Sequence, residues 1–467
     1  MSVAAHAIAG LFLGFLALTH LIQLAVHFAA LRPLKRKVAL RALQDLPQAY
    51  KGFEPPISLV VPALDQEARI ADMVRALLQL DYPEFEIVVV NDGSADATLA
   101  ALQEAFDLEP FPEVYWRRLA TREIRAIYRS RMHARVRVID KESGGRGDAL
   151  NAGINASRFP LFCAVDAQAL LHRDSLRRAA EPFVDDPATV ASGAAIRLAN
   201  GCSIADNRVV AVELPRGLLG LLQVSEYLRT YPFARLGWAE MKGALVMSGA
   251  MAIFRKDAVV EAGGFKSDTL GAATELMMRL HRLLSGRGEH YSVHFVPDAV
   301  SWNIAPETFA ELARLHIRRH WGLAASLHAN AQLLGSRGAS GTMAFAYLMV
   351  FECYGPLIEI AGYAFVIAVF AFGLVPGGFL AAYLAASFAL GFMVSASALL
   401  LEEYSFRLYP RADQLGRLVL AAGVENLGYR QLVAIWRCIG LMQWVRSRIE
   451  ATPPQRREFP GSDRPRL

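Results

Sequence analysis

The sequence predicts an α/β domain built on a mainly parallel sheet, with transmembrane α-helices at both ends of the chain. Three observations carry that expectation. Residues 3–31 hold no formally charged side chain, a run longer than the roughly 20 residues a helix needs to cross a bilayer. From about Pro55 to Leu333, short apolar runs that end in turn residues alternate with segments of 3.6-residue spacing, the pattern of β-α-β units. Two further apolar runs, Tyr354 to Leu374 and Phe379 to Leu401, meet at the turn Val375-Pro376-Gly377-Gly378.

Composition agrees. Of 467 residues, 54% are hydrophobic and the mean hydropathy is +0.27, too apolar for an ordinary soluble enzyme and suited to an integral membrane protein. A formal charge of +5 could suit nucleic acid. Arg and Lys crowd the ends of the apolar runs, however, as the positive-inside rule requires, so no nucleic-acid partner is expected. Cys163, Cys202, Cys353 and Cys438 are far apart and form no C-x-x-C pattern, which indicates neither a zinc site nor a disulfide framework. Small buried thiols in a reducing compartment are expected.

The elements follow in order. Residues 1–31 read as an uncleaved anchor, because Arg32, Lys35, Arg36, Lys37 and Arg41 follow the apolar run instead of preceding it. That arrangement puts the N-terminus outside and the main domain in the cytoplasm, at a bacterial-type inner membrane. Residues 32–54 form a basic linker and 55–333 the cytoplasmic domain. In that domain Ile57 to Pro62 is a short buried strand, Glu67 to Leu80 an amphipathic helix, and Phe85 to Val90 a second strand ending at Asn91-Asp92-Gly93-Ser94. Such units bind ligands at the C-terminal ends of their strands. Neither G-x-G-x-x-G nor G-x-x-x-x-G-K-[ST] occurs, which disfavours classical dinucleotide and P-loop sites. Residues 342–401 hold two spans, 354–374 and 379–401, with Glu352 and Glu359 facing protein or headgroups. Between 402 and 449, Arg alternates with apolar groups and Trp436 and Trp444, as in helices lying at an interface. Residues 450–467, rich in Pro and Arg, read as a disordered tail.

An ordered set of motifs makes the domain more specific. Asn91-Asp92-Gly93-Ser94-Ala95-Asp96 is followed by the stretch from Asp140 to Asn155, then Glu226-Tyr227-Leu228-Arg229, Met247-Ser248-Gly249-Ala250, Gly263-Gly264-Phe265 and Thr269 to His281. From Pro55 to Gly322 this order resembles membrane-bound family 2 glycosyltransferases of the type-A fold. The resemblance implies a nucleotide-sugar partner, UDP-type, and an inverting transfer in which a carboxylate takes the acceptor's proton. It implies that Asp92 reads the base, that Asp166 serves the ribose and metal side, and that Arg146 takes the place of the usual Lys, with Asp148 in the same segment.

Three departures from the family pattern stand at chemical positions. Ala272-Ala273 replaces the family's Glu-Asp pair, with Ala273 at the position of the general base. Asp166-Ala167-Gln168 replaces Asp-x-Asp, which weakens the site for Mg²⁺ or Mn²⁺ because an amide oxygen lacks the charge that hard cations prefer. Ile317-Arg318-Arg319-His320-Trp321 keeps only the Trp of Gln-x-x-Arg-Trp; Arg318 and Arg319 suit a diphosphate or equally a headgroup-facing surface. Glu275, three residues after Ala272 and so on a similar face of a helix, is a candidate for a substitute base; the family already has a Glu at that place beside its Asp, which points instead to orienting or capping the helix. Glu226, Asp268 and Asp298 have ordinary surface or capping alternatives, and His281, His294 and His316 lack metal-ligand spacing. The expected protein is therefore a nucleotide-sugar-binding but catalytically impaired subunit or scaffold, docked on the membrane to an active synthase or another glycan-assembly subunit. The alternative is an active inverting transferase acting on a lipid or glycan.

Overall fold

The computed structural model describes residues 2–41, 54–247, 250–267, 269–335 and 339–450. Most of the basic linker, Ser248, Gly249, Asp268 and the tail read as disordered lie outside the described residues.

The first helix, α1 (Ser2–Arg41), continues past Leu31 through Pro33. β1 (Ile57–Ala63), α2 (Ile70–Leu78) and β2 (Phe85–Asn91) then form the expected β-α-β unit, with both strands buried throughout. Strands covered on both faces need continuous apolar runs, which is why these two were legible. After α3 (Thr98–Phe106) come β3 (Leu108–Pro110), β4 (Ile124–Ser130) and β5 (Val136–Lys141). α4 (Arg146–Ala156) returns the chain to β6 (Leu161–Val165), followed by β7 (Leu170–Leu171), α5 (Ser175–Asp185) and β8 (Thr189–Leu198). A hairpin of β9 (Ser203–Ala205) and β10 (Arg208–Ala211) precedes α6 (Leu218–Leu228), a π-helical turn Arg229–Phe233 and α7 (Ala234–Glu240). β11 (Met251–Arg255), α8 (Lys256–Glu261), α9 (Ala272–Arg287), β12 (Ser292–Asn303) and α10 (Phe309–Ala329) complete the domain.

Ten strands form one sheet in the order β3-β4-β5-β2-β1-β6-β11-β8-β12-β7. Its centre, β5-β2-β1-β6, is parallel; β11 runs antiparallel between β6 and β8. The fold is the α/β class expected, and the antiparallel flanks are what the sequence did not reveal. Alternate strand residues feed two apolar layers. Leu59 and Val61 join Met73, Leu77 and Leu102 on one face, while Val60 and Val88 join Leu150, Ile154 and Leu280 on the other. A buried ion pair ties the layers together: Arg137 meets Glu86 at 2.7 Å and donates to the carbonyl of Ala156 at 2.7 Å, while Ser58 donates to Glu86 at 2.6 Å.

Beyond the domain lie α11 (Ala339–Tyr347), a π-helical segment Leu348–Cys353, α12 (Gly355–Ala371), α13 (Gly377–Ser405), α14 (Ala412–Val424) and α15 (Arg430–Ile449). Among the described residues, three helical stretches are long and apolar enough to cross a membrane: Val3–Arg36, Gly341–Ala371 and Gly377–Ser405. They pack together, with Leu16, Val366 and Tyr383 in one buried cluster. α15, in the region read as interfacial, has a protein face. A Cβ added at Gly440 would stand 2.5 Å from the Ile317 carbonyl, and Trp436 stacks on His316 with ring centres 5.9 Å apart. The α/β domain is thereby clamped to the apolar helices.

Candidate functional site

The site begins at the C-terminal ends of the central strands. Register pairs Asn91 of β2 with Asp140 of β5, so the next residues on each, Asp92 and Lys141, come out side by side. Lys141 Nζ is 2.6 Å from Asp92 and 2.6 Å from Asp148, and the Lys141 and Asp92 side chains are both 0% exposed. The backbone amides of Gly144 and Gly145 also donate to Asp92, at 3.1 and 2.8 Å. Burial pushes the Asp92 carboxyl up, and Lys141 with these two amides draws it back. Asp148 accepts a further bond from the Arg122 amide at 3.0 Å. The expected nucleotide contacts of Asp92 and Asp148 thus meet a geometry in which both carboxylates are engaged inside a buried cluster. Neither lines the adjoining cavity.

That cavity, about 1130 Å³, is lined at the domain end by Arg146, Asp166, Gln168, Ala272 and Ala273. Gly145, at φ +91°, turns the chain into α4 so that Arg146 is its first residue, a conformation that favours glycine. Asp166 follows β6. Its Oδ2 is 3.2 Å from Arg146 Nη1, and its Oδ1 accepts the Gln168 amide at 3.3 Å. Among the described residues, no group of three or more His, Cys, Asp or Glu side chains could hold a metal ion. One carboxylate engaged at both oxygens, beside a neutral amide and a cation, does not fit the divalent ion implied by the family resemblance.

At the start of α9, Ala272, Ala273 and Thr274 line the cavity but Glu275 does not. Glu275 is 1% exposed. Its carboxylate lies 2.6 Å from Arg279 Nη2 and 3.2 Å from Lys266 Nζ, and Arg279 donates onward to the carbonyls of Gly264, at 2.7 Å, and Ala262. This anchors the loop before α9. In this arrangement the Glu275 carboxylate is held by Arg279 and Lys266 on the packed side of α9 and does not reach the cavity, whereas a base must lie within hydrogen-bond reach of the acceptor hydroxyl. Gly271 and Gly322 bring α9 against α10, since a Cβ at Gly322 would meet the Gly271 nitrogen at 2.9 Å.

From α10, Arg318, Arg319, His320 and Trp321 all line the cavity. Arg319 donates to the Tyr227 hydroxyl at 2.8 Å and lies over the Tyr227 and Tyr231 rings, 5.5 and 5.9 Å from their centres. Those rings are 4.7 Å apart, and Arg235 lies over Tyr231 at 5.0 Å. Tyr227, Tyr231 and Arg235 recur every four residues through α6, the π-helical turn and α7, a spacing that sets side chains beside one another along a helix. His320 binds the Cys353 carbonyl at 3.0 Å, and burial lowers its pKa to about 3. It is a neutral tether between α10 and the apolar helices, not a phosphate-binding cation.

The remaining candidates have partners. Glu226 lines the cavity, accepts from Tyr429 at 2.7 Å and lies 3.7 Å from His316, whose pKa burial lowers to about 4. Asp298 pairs with Arg178 at 3.5 Å, His294 with Asp186 at 3.7 Å, and His281 with the Tyr291 hydroxyl at 2.8 Å. Sequence reasoning missed Lys141, Tyr231, Arg235 and Arg437, which pairs with Glu352 at 3.0 Å. Only Lys141 left a signal: a lysine that closes the short run of a buried strand.

A parallel-centred sheet with a loop-built cleft at its strand ends, walled by α9 and α10, defines a type-A nucleotide-diphospho-sugar transferase architecture. The chain belongs to glycosyltransferase family 2. The family model described as Glycosyl transferase family 2 matches residues 58–261, and that described as Glycosyl transferase family group 2 matches residues 161–396, half of the chain. Among curated relatives, the poly-beta-1,6-N-acetyl-D-glucosamine synthase of Staphylococcus epidermidis is 24% identical over 263 residues, 56% of this chain and 53% of the relative. The protein of the same description from Staphylococcus aureus strain COL is 24% identical over 262 residues, with the same shares. The match thus spans about half the length of these relatives. A solved mannosyltransferase from Pyrobaculum calidifontis, in complex with GDP-Man and Mn²⁺, shares the fold at TM-score 0.51 and 20% identity, covering 88% of this chain and 99% of its own.

Proposed function

We propose that this protein is a membrane-embedded member of the family that holds a nucleotide sugar, UDP-linked, but turns it over poorly. It would serve as a binding or docking subunit for an active synthase in cell-surface polysaccharide assembly. One observation carries the reading: the wall that should present a proton acceptor presents Ala272, Ala273 and Thr274, while the nearest carboxylate in sequence, Glu275, is buried between Arg279 and Lys266. A methyl group cannot accept a proton, and loss of a general base typically slows transfer by about 10² to 10⁴-fold. The polysaccharide-synthase relatives support the pathway class. The cations of Arg32, Lys35 and Arg36 after the first apolar run support a cytoplasmic domain.

A second reading, an active inverting transferase, has one observation in its favour: Glu226 and His316 face the cavity as a carboxylate–imidazole pair 3.7 Å apart. Donor hydrolysis and transfer by the purified full-length protein with UDP-GlcNAc separate the two. Binding with turnover near background is expected, and Ala273→Asp should raise turnover by roughly 10²-fold or more if only the base is missing. Brisk turnover that vanishes in Glu226→Gln would establish the second reading.

A further inference from the structure

We propose that nucleotide-diphosphate binding in this cleft requires no divalent cation, because the Arg146 guanidinium stands at the carboxylate where a metal would be held. The inference rests on the nucleotide-binding reading above and adds to it the source of the positive charge.

Three features of the cleft combine. Arg146 Nη1 lies 3.2 Å from Asp166 Oδ2, and the other oxygen of that carboxylate accepts the Gln168 backbone N–H at 3.3 Å. A guanidinium therefore already occupies one oxygen of the carboxylate through which a cation would bind, and the other carries a bond from the chain itself. The side chain two residues on, Gln168, is neutral and lines the same cavity, so a metal would find a single formal charge where hard cations prefer several. The Arg146 and Asp166 side chains are 15% and 11% exposed and both reach the cavity, unlike the sealed pair of Lys141 and Asp92.

The chemistry favours arginine over a metal at this place. A divalent ion approaching Asp166 must displace a guanidinium or stand beside it, and like charge opposes both. A guanidinium carries five N–H donors in a planar fork, so a bond to Asp166 orients the group toward phosphate oxygens in the cavity. Charge-assisted bonds of this type are among the stronger polar contacts a protein makes. The usual arrangement, two carboxylates and a shared metal, is here replaced by one carboxylate that positions a permanent cation.

Isothermal titration of the full-length protein in detergent with UDP, in excess EDTA and again in millimolar Mn²⁺, tests this. Affinities within about twofold in the two buffers are expected, and Arg146→Ala should weaken both by roughly tenfold or more, the worth of a charge-assisted hydrogen bond. Gln168→Asp supplies the missing carboxylate and should make UDP binding tighter in Mn²⁺ than in EDTA. Melting temperatures of the variants separate lost binding from lost fold. Binding only in Mn²⁺ overturns the inference and leaves the nucleotide reading standing, whereas absence of binding in both buffers ends the nucleotide reading too. Metal-free binding that survives Arg146→Ala in a folded protein removes Arg146 from the role.

Discussion

Two cation–carboxylate pairs stand at the C-terminal edge of the same sheet, and they differ in access. Lys141 and Asp92, at the ends of β5 and β2, are both 0% exposed, with Asp148 and two glycine amides completing their shell. Arg146 and Asp166, at the start of α4 and the end of β6, keep 15% and 11% exposure at the wall of a cavity. The first pair satisfies its charges entirely from within and so holds the loop that launches α4. The second offers its charge to whatever enters. Similar ion pairs on one sheet edge thus separate into structure and site, and burial decides which is which.

Breaking the sealed pair should have the largest effect. Lys141→Met leaves Asp92 and Asp148 without their cation in the interior, which costs roughly 3–5 kcal/mol and should appear as a steep loss of melting temperature. A variant as stable as the parent would erase the distinction. Glu275→Gln comes next: weakening the hold on Arg279 and Lys266 should destabilise by about 1–3 kcal/mol while leaving UDP affinity unchanged, since Glu275 lies outside the cavity. A fall in affinity without a fall in stability would return it to the site. Arg146→Ala should change stability by less than about 1 kcal/mol, because the pair is partly hydrated, yet it is the variant expected to lose nucleotide.

The smallest effect near neutrality concerns histidines on the structural side of the comparison. Burial lowers His281 and His316 to about 4 and His320 to about 3, from 6.5. The fold therefore prefers their neutral forms. Their contribution is fully present above pH 6.5 and is lost progressively as pH falls from 6.5 toward 4, because there the unfolded chain binds protons that the folded one refuses. Melting curves at successive pH values should show that decline, and substituting His281 by Gln should shrink it. A melting temperature that rises on acidification would contradict the burial of these rings.

Much of this architecture was legible. The continuous apolar runs of β1 and β2 announced a sheet covered on both faces, and the uncharged 3–31 run announced a long apolar helix. The motif order announced the family. The surroundings of the site residues were less legible: motif order places Asp92 at a strand end but carries no information on what a side chain meets, and the register of β2 on β5 sets Lys141 against it. Glu275 looked available from its spacing to Ala272, but Arg279, four residues later on the same helix, binds it on the packed side. The column of Arg319, Tyr227, Tyr231 and Arg235 joins α10 to a π-helical turn about 90 residues distant in sequence, and no local pattern foretells that.

The amino-acid order by itself determined the α/β class, the apolar helices and the family, because each depends on short-range spacing or on the order of short motifs. Which carboxylates are sealed, which cation faces the cavity and how α15 clamps the domain were decided only by tertiary packing. Charge pairing and exposure depend on strand register and helix contact between residues far apart in the chain.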